Sequence, residues 1–199
     1  MGMHVEVAQK KCRKNQNSKV NIMIQTNWII ITGEPRSGKS TLIEQMAFMG
    51  YRICPEASRI IIDDYKSREE SLDCYTEHFE RLIAEQRISA EKRFNPAEYV
   101  FWDRGLVDSI AFSRLYGRGI EHMVRSQLNY IYRDVFYLCE LPVYCSDYAT
   151  IETKESAEVL GKFLLDEYEK LGYSPIMVPQ MDIKSRAEFI LDMIQSKEK

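Results

Sequence analysis

Short apolar runs alternate with longer stretches of helical periodicity along most of this 199-residue chain. The apolar runs predict strands at residues 28–31, 51–54, 99–102, 134–138 and 176–178. The periodic stretches predict helices at 39–49, 57–65, 71–93, 106–116, 120–132, 154–171 and 182–195. Strands separated by helices are typical of βαβ units, which form a parallel sheet covered on both faces. We therefore predict an α/β protein, a three-layer α/β/α sandwich with a mainly parallel five-stranded sheet.

The start of the chain lacks this pattern. Residues 1–26 are polar, aperiodic and rich in lysine and arginine. We predict a disordered basic segment at 1–26 and one folded domain at 27–197. The basic segment is interpreted as a solvated tail, with a weak contact to an anionic surface as the alternative.

Composition argues against several classes of protein. The net charge is −3, whereas a broad nucleic-acid interface is basic. No apolar run approaches the roughly 18 residues of a membrane span, and no secretory signal is recognisable, so we expect a cytoplasmic protein. The cysteines and histidines are scattered along the chain, which argues against a metal cluster.

A glycine-rich motif, the P-loop, follows the first predicted strand and precedes the first helix. Residues 33–40 read GEPRSGKS and match GxxxxGK[ST] at every fixed position. In this motif backbone N–H groups surround phosphates at the positive end of a helix. Lys39 would contact the β and γ phosphates, and the Ser40 hydroxyl would bind Mg²⁺. The predicted nucleotide-binding residues are Gly33, Glu34, Pro35, Arg36, Ser37, Gly38, Lys39, Ser40 and Thr41.

An aspartate follows the third predicted strand, at the sheet edge where ligands bind in open α/β folds. Asp103 comes directly after residues 99–102 and is predicted to bind Mg²⁺ together with Ser40. Capping of the next helix is the alternative role for this aspartate. The next residue is Arg104, whereas ATPase motors place a water-activating glutamate there, which argues against such a motor.

Glu56 and Arg59 follow the second predicted strand, on the side of the P-loop where a phosphoryl acceptor would bind. Glu56 is predicted to orient or deprotonate an acceptor hydroxyl, and Arg59 and Arg104 are predicted to bind the acceptor. The alternatives are a favourable contact of Glu56 with a helix N-terminus, and a surface position for Arg104. Asp108 lies four residues after Arg104 and is interpreted as its helical ion-pair partner.

Together these segments resemble the AAA-like ATP-binding domain family that includes the NadR-type ribosylnicotinamide kinase domain. The resemblance covers about residues 28–194 and rests on the P-loop, GYR at 50–52, PEASR at 55–59, WDRGLVDS at 102–109 and YEKLGY at 168–173. It implies a nucleotide-kinase-like sheet in which the third and fourth predicted strands flank the P-loop strand. It also implies ATP and Mg²⁺ as ligands. More distantly, Glu56 and the Asp103-Arg104 pair resemble residues of deoxynucleoside kinases that contact the acceptor nucleoside.

Relatives often carry arginine in the loop after the fourth strand, which covers the phosphates. Residues 144–153 contain no arginine here, although charge neutralisation at the phosphoryl group is a large part of this catalysis. The candidate replacements are Arg36, Arg114, Arg118, Arg125 and Arg133.

The sequence therefore predicts an ATP-dependent kinase that transfers the γ-phosphoryl group to a hydroxyl of a nucleoside-like metabolite. Catalysis is assigned to Lys39, Asp103 and Glu56. The helices at 71–93 and 106–132 are expected to line the acceptor pocket. A nucleotide-dependent switch or binding module with a protein partner is one alternative, and a slow ATPase without a small-molecule acceptor is another. Homo-oligomerisation stays open.

Overall fold

The computed structural model describes residues 23–139 and 154–198, and its centre is a parallel sheet of five strands. In chain order the strands are β1 (Ile24–Gln25), β2 (Trp28–Gly33), β3 (Arg52–Cys54), β4 (Val100–Asp103), β5 (Tyr130–Ile131), β6 (Asp134–Leu138) and β7 (Ile176–Val178). The large sheet has the order β3-β4-β2-β6-β7, and β1 pairs with β5 separately. The predicted parallel α/β sheet is confirmed, with β4 and β6 flanking the P-loop strand β2.

Helices cover both faces of the sheet. They are α1 (Lys39–Phe48), α2 (Ala57–Ser67), α3 (Glu77–Arg93), α4 (Leu106–Tyr116), α5 (Glu121–Arg125), α6 (Lys154–Lys170) and α7 (Ile183–Ser196). α1 packs against α7, and α4 packs against α3, α5 and α6. Within the two described ranges, no helix combines the length and the apolar composition that crossing a membrane requires.

The P-loop strand β2 is the centre of the core. Every residue of β2 is buried, and its alternate side chains reach opposite faces of the sheet. Ile29 and Ile31 pack with side chains of α1 and α7. Trp28 and Ile30 pack on the other face with side chains of α3, α4 and α6. Contacts on both faces therefore fix the strand whose carboxyl end carries the P-loop.

Two helices are shorter than their periodicity predicts. α3 begins at Glu77 and not at residue 71, because Thr76 caps it and accepts a hydrogen bond from the Phe79 N–H at 3.2 Å. α5 ends at Arg125, and the residues that follow include β5, which pairs with β1. β1 lies before residue 27, so pairing with the domain extends into the predicted basic tail. Residues 1–22 of that tail lie outside the described ranges.

Candidate functional site

The P-loop adopts a conformation that glycine makes possible. Gly33, Arg36 and Gly38 have positive φ values of +139°, +61° and +82°. A Cβ atom on Gly33 would lie 2.0 Å from the carbonyl oxygen of Leu138 in the neighbouring strand, so a side chain does not fit there. The loop ends at the N-terminus of α1, where unpaired N–H groups and the helix dipole favour a bound phosphate.

A buried arginine from the last helix supports this loop. Arg186 of α7 is 1% exposed, and its guanidinium donates a hydrogen bond to the Ser37 carbonyl oxygen at 2.7 Å. Arg186 was not predicted as a site residue, because it stands 149 positions after Ser37. The helical spacing in the sequence could have indicated that Arg186 is buried, because it lies on the same face of α7 as the buried Ile190 and Ile194, four and eight positions further on.

Lys39 is poised inside the P-loop. Its ammonium donates hydrogen bonds to the Glu34 carbonyl oxygen at 2.6 Å and to the Ser37 hydroxyl at 3.2 Å. Burial and, after it, the positive charge of Arg104 lower the pKa of Lys39 to about 7. A phosphate group beside Lys39 would favour the charged ammonium and raise this pKa.

Ser40 and Asp103 meet across the P-loop, as the Mg²⁺ prediction requires. The Ser40 hydroxyl donates a hydrogen bond to Asp103 Oδ2 at 3.0 Å. The second carboxylate oxygen, Oδ1, is buried and has no hydrogen-bond partner among the described residues. Burial and the nearby Glu56 carboxylate raise the pKa of Asp103. A hydroxyl next to an unpaired carboxylate oxygen suits Mg²⁺, which prefers oxygen ligands, so the residues present fit this ion.

Arg104 is a buried residue, and its interpretation as a surface residue is wrong. Its side chain contacts Glu56 Oε1 at 3.5 Å and Asp108 Oδ1 at 3.2 Å, and it donates to the Gly33 carbonyl oxygen at 3.2 Å. Its φ is +69°, an uncommon value for a residue with a side chain. Burial alone would raise the pKa of Glu56, but the positive charges of Arg104 and Lys39 outweigh it and lower that pKa. Glu56 is therefore held as a carboxylate.

Asp108 connects the P-loop strand to the helices beside it. The predicted i,i+4 ion pair with Arg104 is confirmed, and Asp108 itself is fully buried. Its carboxylate also accepts hydrogen bonds from the Thr32 hydroxyl at 2.6 Å, the Gly105 N–H at 2.9 Å and the Tyr168 hydroxyl at 2.5 Å. The charges of Arg104 and Arg87, together with the bonds from Thr32 and Tyr168, lower the pKa of Asp108 against the effect of burial.

The remaining predicted cations lie in different surroundings. Arg59 is on α2 with a 64% exposed side chain, and its Nε is 3.9 Å from the Glu56 carboxylate. Arg114 and Arg125 bind the buried Glu167 of α6. Arg133 precedes β6, at the opposite end of the strands from the P-loop, and pairs with the first residue of that strand. Residues 144–153, where relatives often carry arginine, lie outside the described ranges.

A cavity of about 480 Å³ adjoins Asp103 and Arg104. Its walls are β3, the start of α2, one face of α3 and the end of β4. The helix predicted at 71–93 to line the acceptor pocket reaches this cavity through Gln86 and Ala90 of α3. The helices predicted at 106–132 do not line it, because α4 lies packed among α3, α5 and α6.

Comparisons with known proteins agree with the resemblance seen in the sequence. A family model described as "AAA domain" matches residues 28–186. A search of curated proteins found no match.

Solved structures of the same fold include the NadR protein in complex with NR, with a TM-score of 0.70 and 14% identity over 86% of this chain and 51% of that one. Deoxyadenosine kinase from M. mycoides has a TM-score of 0.62 and 18% identity, over 85% of this chain and 99% of that one. Thymidylate kinase from Candida albicans has a TM-score of 0.61 and 12% identity, over 87% of this chain and 92% of that one. The predicted nucleotide-kinase fold is confirmed.

Proposed function

Because the chain belongs to the AAA domain family, we propose that it transfers the γ-phosphoryl group of ATP to a hydroxyl of a nucleoside-like small molecule. One observation carries the proposal. Direct contacts join Ser40 to Asp103 and Gly33 to Arg104, and Arg104 to Glu56, at the boundary between the P-loop and the cavity. A phosphate bound to the loop and an acceptor bound in the cavity would meet at these side chains.

The nucleotide side of this site supplies charge stabilisation. The ATP phosphates bind residues 33–41, with the Lys39 ammonium beside the β and γ phosphates. Ser40 and Asp103 would hold Mg²⁺, which would neutralise part of the phosphate charge. The buried guanidinium of Arg104 adds a fixed positive charge next to the loop, and its contacts with Glu56 and Asp108 restrict its position.

The acceptor side supplies orientation. The Glu56 carboxylate, with its lowered pKa, accepts a hydrogen bond from the acceptor hydroxyl and aims its oxygen at the γ-phosphorus. As the acceptor oxygen bonds to the γ-phosphorus, its proton passes to the Glu56 carboxylate, and the bond from the γ-phosphorus to the β–γ bridging oxygen breaks, which leaves ADP. Arg59, one helical turn beyond Glu56, contributes a polar contact to the acceptor. Positioning and charge stabilisation account for most of the catalysis in this class of reaction.

The test is ATP consumption by the full chain with Mg²⁺, alone and with a panel of nucleosides and hydroxylated vitamin-like compounds. We expect one compound class to stimulate ATP consumption strongly. In Lys39→Ala this stimulated rate should fall by about 100-fold or more. Lys184→Ala is the matched control, because Lys184 is a 78% exposed lysine on α7.

The other outcomes separate the alternative functions. Tight ATP binding without stimulation by any compound would contradict the kinase proposal and favour a nucleotide-dependent binding module. Steady ATP hydrolysis that no compound changes would favour a slow ATPase. An equal rate in Lys39→Ala and the parent chain would remove the P-loop from the reaction.

A further inference from the structure

The cavity beside Asp103 is unusually rich in arginine. Arg52, Arg87, Arg93 and Arg104 all line it, whereas Asp103 is the one carboxylate among its described lining residues. A cavity that binds only an uncharged molecule has no need for this excess of positive charge. Clefts lined by one sign of charge attract ligands of the opposite sign.

One face of α3 supplies two of these arginines. Gln86, Arg87, Ala90, Arg93 and Phe94 line the cavity from this helix and its C-terminal residue. Their spacing is that of a single helical face, on which apolar residues are the usual choice when the face only packs against a core. Arg87 is 5% exposed, so the chain keeps a buried guanidinium at the wall of a cavity.

The charges of the four arginines are balanced unequally. Arg52 forms an ion pair with Glu98 at 2.5 Å, and Arg104 is paired with Glu56 and Asp108. Within the described residues, neither Arg87 nor Arg93 forms an ion pair with a carboxylate.

Arg87 is held by a neutral partner. One of its terminal nitrogens donates a hydrogen bond to the Ser109 hydroxyl at 2.7 Å, and its buried Nε has no hydrogen-bond partner in the part of the chain that the structure describes. The carboxylates of Glu56, Glu91 and Asp108 act on Arg87 only from beyond ion-pair distance. A buried charge is stabilised best by a counter-charge in direct contact, and an anionic ligand group in the cavity would provide that contact.

The cavity is long enough to separate an anionic group from the reacting hydroxyl. Arg52 pairs in register with Val100, three residues before Asp103 on β4. At about 3.3 Å per residue, the two ends of the cavity wall are about 10 Å apart. Asp103 and Arg104 stand at the end next to the P-loop, and Arg52 marks the far end.

We propose that the acceptor carries an anionic group, a phosphate or a carboxylate, which binds to Arg87 and Arg93 while the acceptor hydroxyl lies at Glu56 and Asp103. That this ligand is the phosphoryl acceptor rests on the proposed function. Its negative charge is inferred from the cavity alone. It changes the substrate class from neutral nucleoside-like compounds to hydroxylated anions.

The experiment measures binding by calorimetry with the P-loop already filled by Mg²⁺ and a non-hydrolysable ATP analogue, so that no probe binds there. The probes are nucleoside 3′-monophosphates against the same nucleosides, and hydroxylated carboxylic acids against their amides. We expect the anionic member of at least one pair to bind about tenfold more tightly or better, since hydrogen bonds to charged groups are the strong ones. The pair that shows the preference identifies phosphate or carboxylate.

Variants on α3 assign the preference to the arginines. Arg93→Gln, at an exposed position, and Arg87→Gln should each remove most of it. Arg81→Gln should retain it, because Arg81 lies on the same helix, pairs with Glu77 and does not line the cavity. Arg93→Gln keeps the test valid where the buried Arg87 variant fails to fold.

The outcomes separate this inference from the proposed function. Equal or tighter binding of the uncharged probes, or no binding of any anionic probe, overturns the inference even where phosphoryl transfer is observed. An anion preference that Arg93→Gln and Arg87→Gln both leave intact also overturns it. Arginine-dependent anion binding without any phosphoryl transfer supports the charge of the ligand and contradicts the kinase proposal.

Discussion

Residues 33–41 place the predicted phosphate-binding groups within one loop and the first turn of α1, whereas the cavity beside them takes its lining from β3, α2, α3 and β4. The loop depends on backbone conformation, with positive φ values at its ends and N–H groups at a helix N-terminus. The cavity depends on side chains that the fold brings together from separate elements. The first kind of site tolerates little change in its glycines, and the second can change its ligand through single side chains.

The largest predicted effect is on the loop side of this comparison. Gly33→Ala should destabilise the fold by about 4 kcal/mol or more, because its Cβ would lie 2.0 Å from the Leu138 carbonyl oxygen between two core strands. Thermal or urea unfolding measures the loss. The matched control is Gly50→Ala, which also has a positive φ but no atom within 4 Å of the added Cβ. That control should cost only about 1–2 kcal/mol. Equal losses in the two variants would contradict the steric argument.

Asp108 joins the two sides of the site, and its loss should be the next largest effect. In Asp108→Asn the buried Arg104 loses its closer counter-charge, and the new amide group faces the Tyr168 hydroxyl donor. Removing one partner of a buried ion pair costs about 3–5 kcal/mol. Unfolding by urea checks the stability, and ATP affinity checks whether the loop is disturbed as well.

The control for Asp108 is an exposed aspartate. Asp166→Asn on α6 also removes a carboxylate paired with arginine, but Asp166 is half-exposed, and exposed ion pairs contribute little to stability. A variant of Asp108 no less stable than that control would show that the buried network is not needed.

The two sides also differ in how far the sequence predicts them. GEPRSGKS predicts the loop by itself, and the alternation of strands and helices predicts the parallel sheet. That β4 and β6 flank β2 was implied only by the family resemblance. Arg186 and Arg87 were not predicted, because each acts on residues far away in the chain, at Ser37 and Ser109. The end of α5 was not predicted, because β1 and β5 pair through backbone groups. The spacing of apolar side chains gives no sign of such pairing.

Helix α3, which forms one wall of the cavity, also carries a buried carboxyl group whose charge opposes folding. Burial raises the pKa of Glu91 to about 7, although the Tyr132 hydroxyl donates a hydrogen bond to it at 2.5 Å. A carboxyl with a raised pKa stabilises the fold below its unfolded pKa of 4.5, and this stabilisation is lost as the pH rises through 7. Glu91→Gln should therefore gain stability relative to the parent chain between pH 4.5 and pH 8, by up to about 3 kcal/mol.

Unfolding of both chains at pH 5 and pH 8 measures this gain, because other titrating groups cancel in the difference. Glu85→Gln is the control on the same helix, at an exposed position. A difference between Glu91→Gln and the parent chain that stays constant with pH would contradict the prediction.

The smallest effect is on the loop side and concerns the pH dependence of ATP affinity. Burial and the charge of Arg104 lower the pKa of Lys39 to about 7, and bound phosphates favour its protonated form. ATP binding should then take up a proton, and the dissociation constant should rise by up to tenfold per pH unit between pH 7.5 and pH 9. Calorimetry with a non-hydrolysable analogue measures this slope. In Lys39→Arg the guanidinium stays protonated throughout, so the slope should be lost whatever the absolute affinity. Parallel slopes in the two chains would place the titrating group elsewhere.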